Sequence, residues 1–86
     1  MKKYYVSYVV ECRGYEGGVR EEEFENLSKC FIDVIEHFSD LDDDFEEDDY
    51  DEKSLEEMLN LRQSENCGEW RIVSIIEEGK GVVYTY

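Results

Sequence analysis

The sequence predicts an α+β domain in two layers: an antiparallel sheet of three or four strands with two helices on one face, in the order β(β)ααββ. Three observations carry this. Apolar residues alternate with period two near the N-terminus, and two short apolar stretches close the chain. Between them, two segments place apolar residues at helical spacing. Glycine rather than proline punctuates the pattern, with 6 glycines and no proline. A chain of 86 residues is one domain, residues 1–86. It is 41% hydrophobic and 14% aromatic, enough for a globular core.

The first strand runs from Tyr4 to Cys12. Tyr4, Val6, Tyr8, Val10 and Cys12 share one face, and Tyr5, Ser7, Val9, Glu11 and Arg13 the other. The second face is only half polar, which suits a central strand. Lys2 and Lys3 precede an apolar stretch as in a signal peptide, but a long apolar core and a cleavage site are missing, so the segment is read as a strand. Gly14, Gly17 and Gly18 read as turn residues. Val19 to Phe24 is a weak strand dominated by Glu21, Glu22 and Glu23, and its charge suits an edge.

Asn26 is a helix cap, followed by a stripe of Leu27, Cys30, Phe31, Val34, Ile35 and Phe38. A second helix follows a capping box at Ser54 to Glu57, with Leu55, Met58, Leu59 and Arg62 on one side and an end between Ser64 and Gly68. Trp70 to Ile76 and Val82 to Tyr86 are strands, joined by a hairpin loop over Glu77 to Gly81. Trp70 is expected in the core. The far face of the sheet is expected to show Tyr5, Tyr15 or the C-terminal tyrosines.

The dominant feature is acidic. From Asp40 to Glu52, every residue except Leu41, Phe45 and Tyr50 is a carboxylate, and no cation intervenes before Lys53. Such a run cannot be buried unpaired, so it faces water or a basic partner. The apolar side chains within it point to an anchored surface rather than a bare tail. The chain has 24 acidic and 9 basic residues, a net charge of −15. That charge disfavours direct contact with nucleic acid or anionic lipid, because phosphates are repelled. It favours a basic protein groove and speeds encounter with one.

Other chemistry is poorly supported. Asp40, Asp42, Asp44 and Asp51 fall at calcium-loop positions, but Phe45 occupies the place of the required glycine. Cys12, Cys30, Cys67 and His37 lack zinc-site spacing, and the odd cysteine count suits a reduced, cytoplasmic protein. His37 ends the first helix, where it complements the dipole. No nucleophile, acid–base pair or phosphate loop can be singled out, so the expectation is a non-enzyme without metal or cofactor.

In size, charge and the Asp40–Glu52 run, the chain resembles the small acidic inhibitors of phages and mobile elements, such as anti-CRISPR and anti-restriction DNA mimics. These share no common fold. The resemblance implies stoichiometric blocking of a CRISPR effector, restriction enzyme or other nucleic-acid-binding protein in the host cytoplasm. The expected partner-binding residues are Asp40, Asp42, Asp43, Asp44, Phe45, Glu46, Glu47, Asp48, Asp49, Tyr50, Asp51 and Glu52, together with Glu21, Glu22 and Glu23. The alternatives are an immunity protein or antitoxin that neutralises a basic toxin nuclease, and a generic protein-interaction module, with or without a response to calcium.

Overall fold

The computed structural model describes residues 1–11, 16–38, 50–65 and 69–86. Its elements are β1 (Lys2–Val10), β2 (Glu16–Phe24), α1 (Leu27–Phe38), α2 (Glu52–Glu65), β3 (Trp70–Glu77) and β4 (Gly81–Thr85). The strands form one antiparallel sheet in the order β2-β1-β3-β4, with both helices on one face. The α+β architecture expected from the sequence is therefore present, with β1 central and β2 at an edge.

The alternation of β1 sets the two faces of the sheet. Tyr4 and Val6 are buried under the helices, with Tyr8 and Val10 partly so. β3 adds Trp70, Ile72 and Ile75 to the same face. Ile72 and Ile75 are an odd number apart, so a regular strand would put them on opposite faces. A bulge resolves this. Tyr8 pairs with Ile72 and Ser7 with Ser74, leaving Val73 as the extra residue. The next pair of strands repeats the device: Ile75 pairs with Tyr84 and Ile76 with Val82, with Val83 between.

Two sequence expectations are corrected at the sheet. Gly17 and Gly18 lie inside β2 rather than in a turn. Gly18 sits opposite Tyr8, whose ring occupies the space of a side chain: a Cβ there would meet the Tyr8 hydroxyl oxygen at 2.6 Å. Tyr84 belongs to the core instead of the far face, edge-on to Phe31 with ring centroids 5.5 Å apart. Tyr5 does lie on the far face, Tyr86 is exposed, and Tyr15 is outside the described residues. In the β3–β4 hairpin, the Lys80 amide donates to the Glu77 carbonyl, and Gly79 and Gly81 take positive φ.

α1 buries Cys30, Phe31, Ile32, Val34 and Ile35. Asn26 caps it as expected, accepting the Lys29 amide at 3.0 Å. At its far end Phe38 stacks on Trp70 and meets Tyr8. α2 buries Leu55, Leu59 and Gln63. Its cap is Asp51 rather than Ser54: Asp51 Oδ1 accepts the Ser54 amide at 2.8 Å, so the helix starts at Glu52. Leu27 and Glu52 both line a cavity beside Lys2 and Glu77, whereas Phe38 and Gln63 reach Trp70 and Ile72 at the other end of β3. The two helices therefore run in the same direction. The described ends flanking residues 39–49 lie at opposite ends of the helical layer.

Candidate protein-interaction surface

The carboxylates of β2 are sorted by the pleat. Glu21 and Glu23 point to the open face of the sheet and are exposed, while Glu22 points to the helix side. Lys3 on β1 reaches Glu21 at 3.0 Å. Arg20 lies on the helix side, between Glu22 at 2.8 Å and Asp33 of α1 at 3.1 Å. Its planar guanidinium can serve two carboxylates at once. β2 is thereby tied to α1, and its one cation is turned away from the open face. The triplet expected as one patch is split: Glu21 and Glu23 are exposed on the open face, and Glu22 is engaged within the fold.

Tyr50, Asp51 and Glu52 are the described part of the acidic run, and all three are exposed. Asp51 has a second role as the cap of α2. The Ser54 amide and hydroxyl hold its carboxyl below the usual aspartate range. The remaining expected contact residues, Asp40 and Asp42 to Asp49, lie outside the described residues, as do the other calcium-loop positions Asp40, Asp42 and Asp44. Among the described residues no three His, Cys, Asp or Glu side chains cluster closely enough to hold a metal ion.

The N-terminal ends of the two helices lie at one end of the molecule. Glu52 and Asn26, the residue after Glu25, line the same cavity of about 340 Å³, with Lys2, Glu77 and Lys80. The N-termini of α1 and α2 both open onto it. Glu77 is buried there. Tyr4 donates its hydroxyl to Glu77 Oε1 at 2.9 Å. Burial and this acidic partner push the Tyr4 hydroxyl pKa well up. Sequence reading placed Glu77 in a loop and missed it. The signal was out of reach, since its partner is 73 residues away.

The open face of the sheet is more apolar than a solvated face requires. Val19 is 61% exposed and Val82 60%, with Ile76 also exposed and Tyr5 and Val9 half-buried. None of the described elements covers it. Cys30 is fully buried in the core, which pushes its thiol up to about 12, so it is a packing residue as expected. His37 is exposed in the last turn of α1, edge-on to Phe38. Among the described residues no helix is long and apolar enough to cross a membrane.

No protein-family model matches the chain, and no curated protein or solved structure is significantly similar to it.

Proposed function

We propose that this chain is an acidic nucleic-acid mimic, an inhibitor that occupies the basic groove of a CRISPR effector, a restriction enzyme or another nucleic-acid-binding protein. The observation that carries the proposal is charge: 24 acidic against 9 basic residues, with an uninterrupted carboxylate run at Asp40–Glu52. A groove built for nucleic acid meets about one negative charge per 1.7 Å of duplex axis. A protein rival needs comparable density on a rigid support.

The described surface is consistent with this. Glu21 and Glu23 stand two residues apart on one face of β2, a spacing of about 6.8 Å for an extended strand. That matches two steps of a single nucleic-acid strand at about 3.4 Å of axis each. Lys3 and Arg20 are engaged by carboxylates of the chain itself, so they contribute little repulsion toward a basic partner. In this reading the run supplies charge, and the sheet with its two helices supplies the rigid frame.

The test is capture from host lysate with the full chain as bait, at low and high salt, followed by displacement with duplex DNA or guide RNA. The proposal expects a basic nucleic-acid-binding protein that is released by salt and by nucleic acid. A partner that is neutral or acidic, or one that binds this chain and nucleic acid together, contradicts it. A captured toxin nuclease would instead identify an immunity protein.

A further inference from the structure

The sheet ends in two unlike edges. β4 is 5 residues long, and its pairing with β3 is broken by a bulge between Ile75 and Ile76. Beyond its end, the Ile72 amide is taken by Gln63 Oε1 from α2 at 2.8 Å. A short strand, an irregular ladder and a side-chain cover all close an edge to further pairing. β2 has none of these. It is 9 residues long, and its register with β1 is unbroken from Glu16–Val10 to Phe24–Lys2. That is about 30 Å of extended backbone. It contains no proline. Among the described residues its only strand neighbour is β1, and no other hydrogen bond between them reaches its outer backbone groups.

Charge alone guards this edge, and charge is selective. Arg20, the one cation of β2, is held on the helix side by Glu22 and Asp33. Glu21 and Glu23 are left on the open face beside Val19. Residues directly opposite in neighbouring strands stand about 4.5–5.5 Å apart, close enough for opposite charges to attract and like charges to destabilise the pair.

We propose that the outer edge of β2 takes up a cationic extended segment of the partner as a fifth strand of the sheet. This rests on reading the chain as a binder of basic proteins, and it specifies how part of that basic surface is held. Main-chain hydrogen bonds to β2 supply the attachment, and alternating side chains supply the selection. Lysine or arginine at every second position falls opposite Glu21 and Glu23. A second copy of this chain is the wrong occupant, because each carries a net charge of −15.

The experiment uses the full chain and two capped nine-residue peptides, one alternating lysine and threonine, the other glutamate and threonine. Amide hydrogen exchange is followed along β2. In the free protein, the alternate β2 amides that point away from β1 exchange fast. With the lysine peptide at ten times its dissociation constant they slow by about tenfold. The amides bonded to β1 are unchanged, and the glutamate peptide has no effect. Glu21 and Glu23 are exposed, so the double variant Glu21→Lys/Glu23→Lys keeps the fold by circular dichroism and loses the protection by the lysine peptide. If the lysine peptide binds while the outer amides still exchange fast, or if neither peptide slows them, the edge is not a docking site. Protection without peptide at doubled molecular mass would make it a self-interface and overturn the proposal. No client is involved, so a failure here leaves the mimic reading to its own test. Loss of client binding with peptide docking intact falls on the mimic reading alone.

Discussion

Gln63 joins α2 to both strands of the C-terminal hairpin, and replacing it with methionine isolates that role. Its Oε1 accepts the Ile72 amide at 2.8 Å, and its Nε2 donates to the Tyr84 hydroxyl at 2.7 Å. The same hydroxyl donates to Asn60 Oδ1 at 2.5 Å, one turn earlier on α2. Methionine keeps the length and volume of the side chain, so packing against the core is nearly conserved. The loss is polar. The Ile72 amide, beyond the end of β4, is stranded in a buried position, which costs about 1–3 kcal/mol. The second bond adds about 0.5–1.5 kcal/mol, offset in part because a carboxamide no longer has to be desolvated. A net destabilisation of about 2–3 kcal/mol is expected, or about 10–20 °C in Tm for a domain of this size. Urea and thermal denaturation followed by circular dichroism give the stability, and amide exchange at Ile72 reports the bond itself. A Tm within a few degrees of wild type, with the Ile72 amide still protected, would refute the role assigned to Gln63.

Three further outcomes are expected. Phe31→Ala should cost about 3–5 kcal/mol, because Phe31 is 1% exposed and packs edge-on against Tyr84 between α1 and the sheet; a variant that melts like wild type would remove α1 from the core. Cys30 and Tyr84 are both pushed up to about 12 by burial, and Tyr4 is raised further. Groups with raised folded values contribute stability that is whole below their unfolded pKa and is lost as pH rises toward the folded one. Urea midpoints should therefore fall from about pH 9 upward, by at most about 1.4 kcal/mol per pH unit for each titrating group, and Cys30→Ala should flatten the onset; a midpoint constant to pH 11 would contradict this. Asp51, held low by Ser54, works the other way: its contribution is whole above the unfolded aspartate value and is lost as pH falls through the folded one. Asp51→Ala should lower Tm at pH 7 and Asp51→Asn should restore most of it, whereas equal melting of both variants would remove the cap.

Much of the fold was legible because β1 and α1 follow single, clean periods. Alternation in β1 fixed its faces and its central place, and the α1 stripe identified the buried side, missing only Ile32. Elsewhere one residue type serves two physical ends. Glycine marks a turn or a close approach, and at Gly18 it is the approach of Tyr8 that decides. Asp51 and Ser54 are both good caps three residues apart, and only the backbone distinguishes them. Tyr84 carries an apolar ring and a polar tip, so its burial depends on Asn60 and Gln63, more than 20 residues away in sequence. The bulge at Val73 breaks the alternation of β3, which conceals that Ile72 and Ile75 share a face. For the surface, composition pointed to the acidic clusters. It could not show that Glu22, rather than Glu21 and Glu23, is the one turned to the helices, because that depends on Arg20 meeting Glu22 and, on another element, Asp33.

The central claim is that the acidic run stands in for phosphates, and neutralising it is the most direct test. Asp42, Asp43, Asp44, Glu46, Glu47, Asp48 and Asp49 are changed to Asn or Gln in the full chain. Binding to the captured client is then measured against wild type over a range of salt. The account predicts an unchanged fold by circular dichroism, affinity lowered by orders of magnitude at low salt, and a much shallower dependence on ionic strength. A neutralised chain that binds its client as tightly as wild type, with the same salt dependence, would contradict the account.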